Sequence, residues 1–171
     1  MKRRIPDLSK GMRSKLMLLL AICRGADLLI LDEPTDGLDP AAIEDVLREL
    51  VSIAAETGTT MFFSSHQLPE VDLVADHIGI IDQGRMVMSG SLDDIKASYQ
   101  QLRVVLRDER QAPSRWGDGV KQVKQEGRVV SLLVSHNAEA VAAAAQAIPG
   151  AVVERYPVTL KEIFLEHVKS H

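Results

Sequence analysis

The chain has 171 residues, 46% of them hydrophobic, enough for one sizeable core or one core with a small appendage. Its net charge of −4 supplies no overall basic field for nucleic acid, and its single cysteine, Cys23, excludes an intrachain disulfide and fits a reducing cytosol. No apolar run reaches the ~20 residues that span a bilayer.

Lys2-Arg3-Arg4 ahead of an apolar stretch at 16–23 has the outline of a signal peptide. Lys10, Arg13 and Lys15 interrupt the approach, Arg24 closes the run, and Ile22 is too large for the position before a lipoprotein cysteine. The stretch reads instead as a helix, capped near Ser9 and running to about Arg24. Met12, Leu16, Leu19, Leu20 and Cys23 recur at three- and four-residue spacing and predict its buried face. Gly25 ends it. Residues 28–32 are a continuous apolar strand, the pattern of a buried parallel sheet. Residues 41–57 form an amphipathic helix with Ile43, Val46, Leu47, Leu50 and Ile53 inward, closed by Gly58. Residues 59–63 are a second buried strand ending in Ser64-Ser65-His66. Residues 68–75 are a short helix with Pro69 in its first turn. Residues 78–82 and 85–89 flank Gln83-Gly84 as a hairpin, and Ser91 caps a further helix.

The texture changes near Tyr99. Residues 1–98 carry 10 Lys/Arg against 16 Asp/Glu, and residues 99–171 carry 10 against 8. After the break the chain predicts a strand at 102–106, a loop at 108–119, and a hairpin of 120–124 with 129–134 flanking Glu126-Gly127. A helix at 138–148 capped by Asn137, a strand at 151–156 and a last helix follow. That helix opens with the capping-box spacing Thr159-Leu160-Lys161-Glu162 and carries Ile163, Phe164 and Val168 on its apolar side. The order β-β-β-α-β-α suits a small α+β appendage at 99–171, beside a first domain at 1–98.

The chemistry sits in the first domain. Leu29-Ile30-Leu31-Asp32-Glu33-Pro34-Thr35 is an apolar strand that runs into two carboxylates and stops at proline. Carboxylates are costly to bury, so a strand ending in Asp-Glu points to Asp32 holding the hydrated Mg²⁺ of a nucleotide and Glu33 polarising an attacking water. Alone, the pair is also compatible with a strand stopping at a solvated turn. Ser9, Lys10 and Gly11 lie at a helix N-terminus, where free N–H groups and the dipole favour phosphate, although Ser9 is equally an ordinary cap. Asp39-Pro40 is also an ordinary helix start, and a lone His66 after a strand is commonly structural. His77, His136, His167 and His171 have no comparable context.

Four motifs stand in order: Leu8-Ser9-Lys10-Gly11-Met12, Leu29–Pro34, Gly37-Leu38-Asp39-Pro40 and Ser64-Ser65-His66. Over residues 8–98 this resembles the carboxy-terminal half of an ABC-transporter ATPase subunit, with its signature, Walker B strand, D-loop and switch histidine. Residues 99–171 resemble the extra domain of ATPase subunits from ABC-2-type exporters. The resemblance implies a partial P-loop-type α/β nucleotide-binding domain plus an α+β appendage. It implies ATP and Mg²⁺ as cofactors, Asp32 as metal ligand, Glu33 and His66 as catalytic residues, and Leu8, Ser9, Lys10, Gly11, Met12 and Asp39 as nucleotide-facing. Lys10 and Met12 depart from the commonest signature, which has glycine and glutamine there.

No Gly-x-x-x-x-Gly-Lys-Ser/Thr occurs in the 171 residues, and the family's Gln-containing loop and adenine-stacking aromatic are not seen either. The expectation is a truncated or split gene or a misplaced start, and a chain that does not hydrolyse ATP by itself. The partners implied are a missing Walker A segment, a second ATPase subunit and a membrane permease, with the protein cytoplasmic and peripheral on the inner membrane face. The competing function is a non-catalytic remnant or regulatory partner docked on a complete subunit. The chromosome-maintenance ABC ATPases share these motifs but need long coiled-coil arms, and no heptad run exists here.

Overall fold

The computed structural model describes residues 8–168. The Lys2-Arg3-Arg4 segment weighed above and His171 lie outside the described residues, as does the side chain of Lys10. The chain divides into two compact units between Val74 and Ala75.

In the first unit, helix α1 (Lys10–Ile22), strand β1 (Leu28–Asp32), helix α2 (Pro40–Thr57), strand β2 (Thr60–Ser64) and helix α3 (Leu68–Val74) follow in order. Ser9 caps α1 by accepting from the Met12 N–H at 3.2 Å. Asp39 caps α2 by accepting from the Ala42 N–H at 3.0 Å, with Pro40 in the first turn, where its missing N–H costs nothing. Gly58, at φ 71°, closes α2 in the left-handed conformation that glycine adopts without strain. β1 and β2 pair in parallel with Leu28 opposite Thr60, Ile30 opposite Phe62 and Asp32 opposite Ser64.

One face of this pair, through Leu31 and Met61, packs on Leu18 and Ile22 of α1 and on Val46 and Leu50 of α2. On the other face Leu28, Ile30 and Phe62 stay 52%, 69% and 65% exposed. This corrects the expectation of two fully buried strands. A continuous apolar run signals a parallel sheet covered on both sides, and the described residues cover only one. The α1 face also needs correction. Leu18 is buried with Ile22 beside it, whereas Met12, Leu19, Leu20 and Cys23 are exposed. Every residue from Leu16 to Cys23 is apolar, so periodicity carried no phase there.

The second unit opens with an antiparallel hairpin, β3 (His77–Asp82) and β4 (Arg85–Ser91), turned by Gln83-Gly84 with positive φ at both. Helix α4 (Leu92–Ala97) is capped by Ser91, whose hydroxyl accepts from Asp94 N–H. Then come β5 (Gln100–Val105), a 3-10 turn at Glu109–Gln111, β6 (Val120–Glu126), β7 (Val129–Val134), α5 (Ala138–Gln146), β8 (Val152–Tyr156) and α6 (Leu160–Val168). The order of elements in 99–171 is the expected one. The four later strands form an antiparallel sheet in the order β6-β7-β5-β8.

Leu102, Val104, Val130, Leu132 and Val134 form its core with Trp116 and with Val141, Ala142 and Ala145 of α5. A second cluster joins Leu133, Val158 and Ile163 to Met88, Ile95 and Tyr99. The hairpin and α4 therefore pack with the later strands, which is why the compact unit begins ahead of the break expected near Tyr99. Asn137 precedes α5 but makes no side-chain cap, because its φ of 59° turns the residue into the left-handed region. Glu162 does reach back to the Thr159 N–H at 2.8 Å, the half of the capping box that the spacing promised.

Candidate functional site

Parallel pairing aligns the carboxy ends of β1 and β2, and the chemistry collects there. Asp32 ends β1 and Ser64 ends β2, directly opposite each other. The Ser64 hydroxyl donates to Asp32 Oδ1 at 2.5 Å and its oxygen accepts from the Glu33 N–H at 3.0 Å. One hydroxyl thus fixes the first carboxylate and the backbone of the second. Glu33 sits at φ 45°, a left-handed conformation that costs of order 1 kcal/mol or more in a non-glycine residue and persists where surrounding structure enforces it. The turn that follows is tied by Asp36 N–H to Glu33 O at 3.0 Å and Leu38 N–H to Thr35 O at 3.1 Å.

Glu33 Oε2 lies 2.8 Å from His66 Nδ1. The structure therefore brings Asp32, Glu33 and His66, expected as metal ligand and catalytic pair, into one cluster. The His66 side chain is 64% exposed. Asp32 presents a hard carboxylate oxygen of the kind Mg²⁺ takes when waters and phosphates complete its shell, so this residue fits the hydrated ion of a nucleotide, although among the described residues no three His, Cys, Asp or Glu side chains gather to hold a metal by themselves.

The remaining expected residues form a second group. Ser9 and Met12 make the first turn of α1 through their mutual bond. Gly11 sits against the Gly37-Leu38 turn so closely that a Cβ there would lie 3.1 Å from Leu38 Cδ2. Leu8 is half-buried and Ser9 exposed. The Asp39 carboxylate is engaged in capping α2.

Three side chains with no expected role belong to the site. Ser64 is one. Thr35 and Glu70 are the others, a buried pair in which the Thr35 hydroxyl donates to Glu70 Oε2 at 2.6 Å. Ser64 was reachable from sequence once the two strands were taken as parallel neighbours ending together. Glu70 gave no signal, because a glutamate in the first turn of a short helix reads as solvated.

Among known proteins, the family model described as "AAA domain, putative AbiEii toxin, Type IV TA system" matches residues 2–73. An uncharacterized ABC transporter ATP-binding protein of Alkalihalophilus pseudofirmus is 35% identical over 170 residues, 97% of this chain and 63% of the relative. The daunorubicin resistance ATP-binding protein of Streptomyces coeruleorubidus is 32% identical over 99% of this chain and 55% of its own length. A solved ATP binding subunit of an ABC transporter is 35% identical, with 54% of this chain and 38% of that one aligned at a TM-score of 0.48. The chain thus spans about half to two thirds of the length of these curated relatives. Among the described residues no helix is long and apolar enough to cross a membrane. By its sequence the chain is homologous to the ATP-binding domains of ABC transporters.

Proposed function

We propose that residues 1–98 are the signature, Walker B, D-loop and switch-histidine part of an ABC transporter ATPase subunit, which energises export through a membrane permease from the cytoplasmic face. The observation that carries this reading is the Glu33–His66 contact of 2.8 Å at the end of a parallel strand that also ends in Asp32. Asp32 would hold the magnesium of ATP. That ion, when bound, neutralises charge on the β- and γ-phosphates. Glu33 accepts a hydrogen bond from the attacking water and draws its proton density, and His66 orients the γ-phosphate side of the reaction. Ser9, Lys10 and Gly11 at the start of α1 offer N–H groups to the phosphates bound on a second subunit, with Leu8 and Met12 flanking them on the nucleotide-facing side, and Asp39 bridges towards that subunit. A net charge of −4 gives no support for a nucleic-acid partner.

A companion segment completes the site. The 171 residues contain no Gly-x-x-x-x-Gly-Lys-Ser/Thr, and Leu28, Ile30 and Phe62 leave an apolar sheet face uncovered. An α/β segment bearing that loop would supply both the phosphate cradle and the missing cover. Residues 99–171 serve as an appendage outside the chemistry.

The test is ATPase turnover with and without a Walker A segment taken from a relative. The chain alone should show no Mg²⁺-dependent turnover, and the complemented pair should. Glu33→Gln should then abolish turnover while ATP still binds, and His66→Ala should slow it ~10²–10³-fold, the usual cost of one lost transition-state contact. Deleting residues 99–171 from the complemented pair should leave basal turnover in place. A companion that docks without restoring turnover would favour the regulatory-partner reading instead.

A further inference from the structure

We infer that Glu70 is a positioning residue, whose buried carboxylate ties the Thr35 turn to Ser65 and thereby holds Glu33 and His66 within hydrogen-bond reach. The inference rests on the ATPase reading for its purpose, but the contact it explains is independent of nucleotide.

Glu33 and His66 cannot hold their own separation. The His66 side chain is 64% exposed, so little packing confines it, while the Glu33 side chain is half-buried at 35% exposure. Their 2.8 Å distance depends on the backbones of two different loops. Ser64 fastens one side, through Asp32 and the Glu33 N–H. The other fastening is buried. Thr35, 3% exposed, lies two residues beyond Glu33, and its hydroxyl donates to Glu70 Oε2 at 2.6 Å. Ser65, the residue before His66, places its hydroxyl 3.5 Å from the same oxygen. The Glu70 N–H donates to Gln67 O at 2.9 Å, anchoring the start of α3 to the residue after His66.

Glu70 is 8% exposed. A carboxylate so placed costs several kcal/mol to desolvate unless hydrogen-bonded, so the 2.6 Å bond from Thr35 resists stretching, with the Ser65 contact at 3.5 Å a longer, weaker second tie. A group that merely filled space here would be apolar. This one joins the two loops that carry the reacting side chains.

The experiment is an imidazole ¹⁵N–¹H correlation spectrum of the 171-residue chain, with His66 assigned by His66→Gln and the broken contact defined by Glu33→Ala. Thr35→Val and Glu70→Ala should each move the His66 signals to their Glu33→Ala positions. Thr35→Ser and Glu70→Gln, which keep a hydroxyl donor and an oxygen acceptor, should leave them at the wild-type positions. Wild-type His66 signals in Thr35→Val or Glu70→Ala, whatever the change in melting temperature, would overturn the proposal. So would equal displacement in the conservative variants. If Glu70→Ala does not fold, the Thr35→Val and Thr35→Ser pair decides alone. No nucleotide enters this measurement, so absent turnover in the complemented ATPase would refute the functional reading without touching this one.

Discussion

Glu33 sits in a left-handed backbone conformation while its carboxylate meets the His66 imidazole at 2.8 Å. Glycine relieves the backbone strain, since it populates positive φ without a Cβ penalty. Glu33→Gly should therefore leave the unfolding free energy measured by urea titration within ~1 kcal/mol of the parent, the relieved strain offsetting the lost His66 contact and the added unfolded-state entropy, even as it removes the expected catalytic group. A loss well beyond that would mean that the backbone strain is small. Ser64→Ala acts the other way. It strips a donor from Asp32 and an acceptor from the Glu33 N–H, and should cost about 1–2 kcal/mol, with Ser64→Thr restoring most of it. Asp32, Glu33 and His66 were singled out in the sequence because they stand in four ordered motifs, since an Asp-Glu pair or a histidine after an apolar strand has ordinary structural explanations when it stands alone. Ser64 required knowing the strand register, and Glu70 required knowing that a helix would bury it. Neither fact is local to the residue.

Elements were legible wherever turn chemistry punctuates the chain. Gln83-Gly84 predicted one hairpin and Glu126-Gly127 the other, and both glycines adopt positive φ. Faces were legible only where polar residues interrupt the apolar ones. The polar positions of α2 give Val46, Leu47 and Leu50 away as its buried stripe, whereas the unbroken run in α1 hides Leu18. In α6 the expected stripe of Ile163, Phe164 and Val168 is only partly realised. Leu160 and Ile163 are fully enclosed, and Phe164 and Val168 are half-buried. Ile163→Ala should cost ~2–4 kcal/mol by leaving a cavity, more than Phe164→Ala, and chemical denaturation would rank them. The same helix has an alkaline dependence. Burial, and then the nearby Glu166 carboxylate, push the Tyr99 phenol above its ordinary 10.0, while its hydroxyl bonds His167 Nε2 at 2.9 Å. A raised folded pKa means the stabilisation is complete below pH 10 and is lost as pH climbs through the folded value. Tyr99→Phe should flatten that alkaline limb and lower stability near neutrality by about 1 kcal/mol for the lost bond. An unchanged alkaline limb would assign it to other groups.

At the scale of the whole molecule, charge balance and packing place the division of the chain differently. Charge shifts near Tyr99, whereas the compact unit begins at Ala75. Charge reports surface composition, and surface residues do not decide which elements share a core. The side chains that decide it are Met88 of β4 and Ile95 of α4, which pack with Leu133, Val158 and Ile163 of the later elements. Their burial partners were invisible in a one-dimensional reading, because they lie on both sides of the compositional break. Two segments of the chain separate the alternatives. Residues 75–171 retain both packing partners and should fold alone, with a cooperative melt and the near-ultraviolet signal of a buried Trp116. Residues 99–171 keep the core around Leu102, Leu132 and Val141 but uncover Ile163 and Leu133. Losing two apolar partners should lower stability by about 2–4 kcal/mol. For a domain of this size that lowers the melting temperature by roughly 10 °C or more, enough to leave a segment of about 70 residues marginal. Equal melting temperatures for the two segments would show that the hairpin and α4 contribute nothing to the second core. The division near Tyr99 would then be the structural one as well as the compositional one.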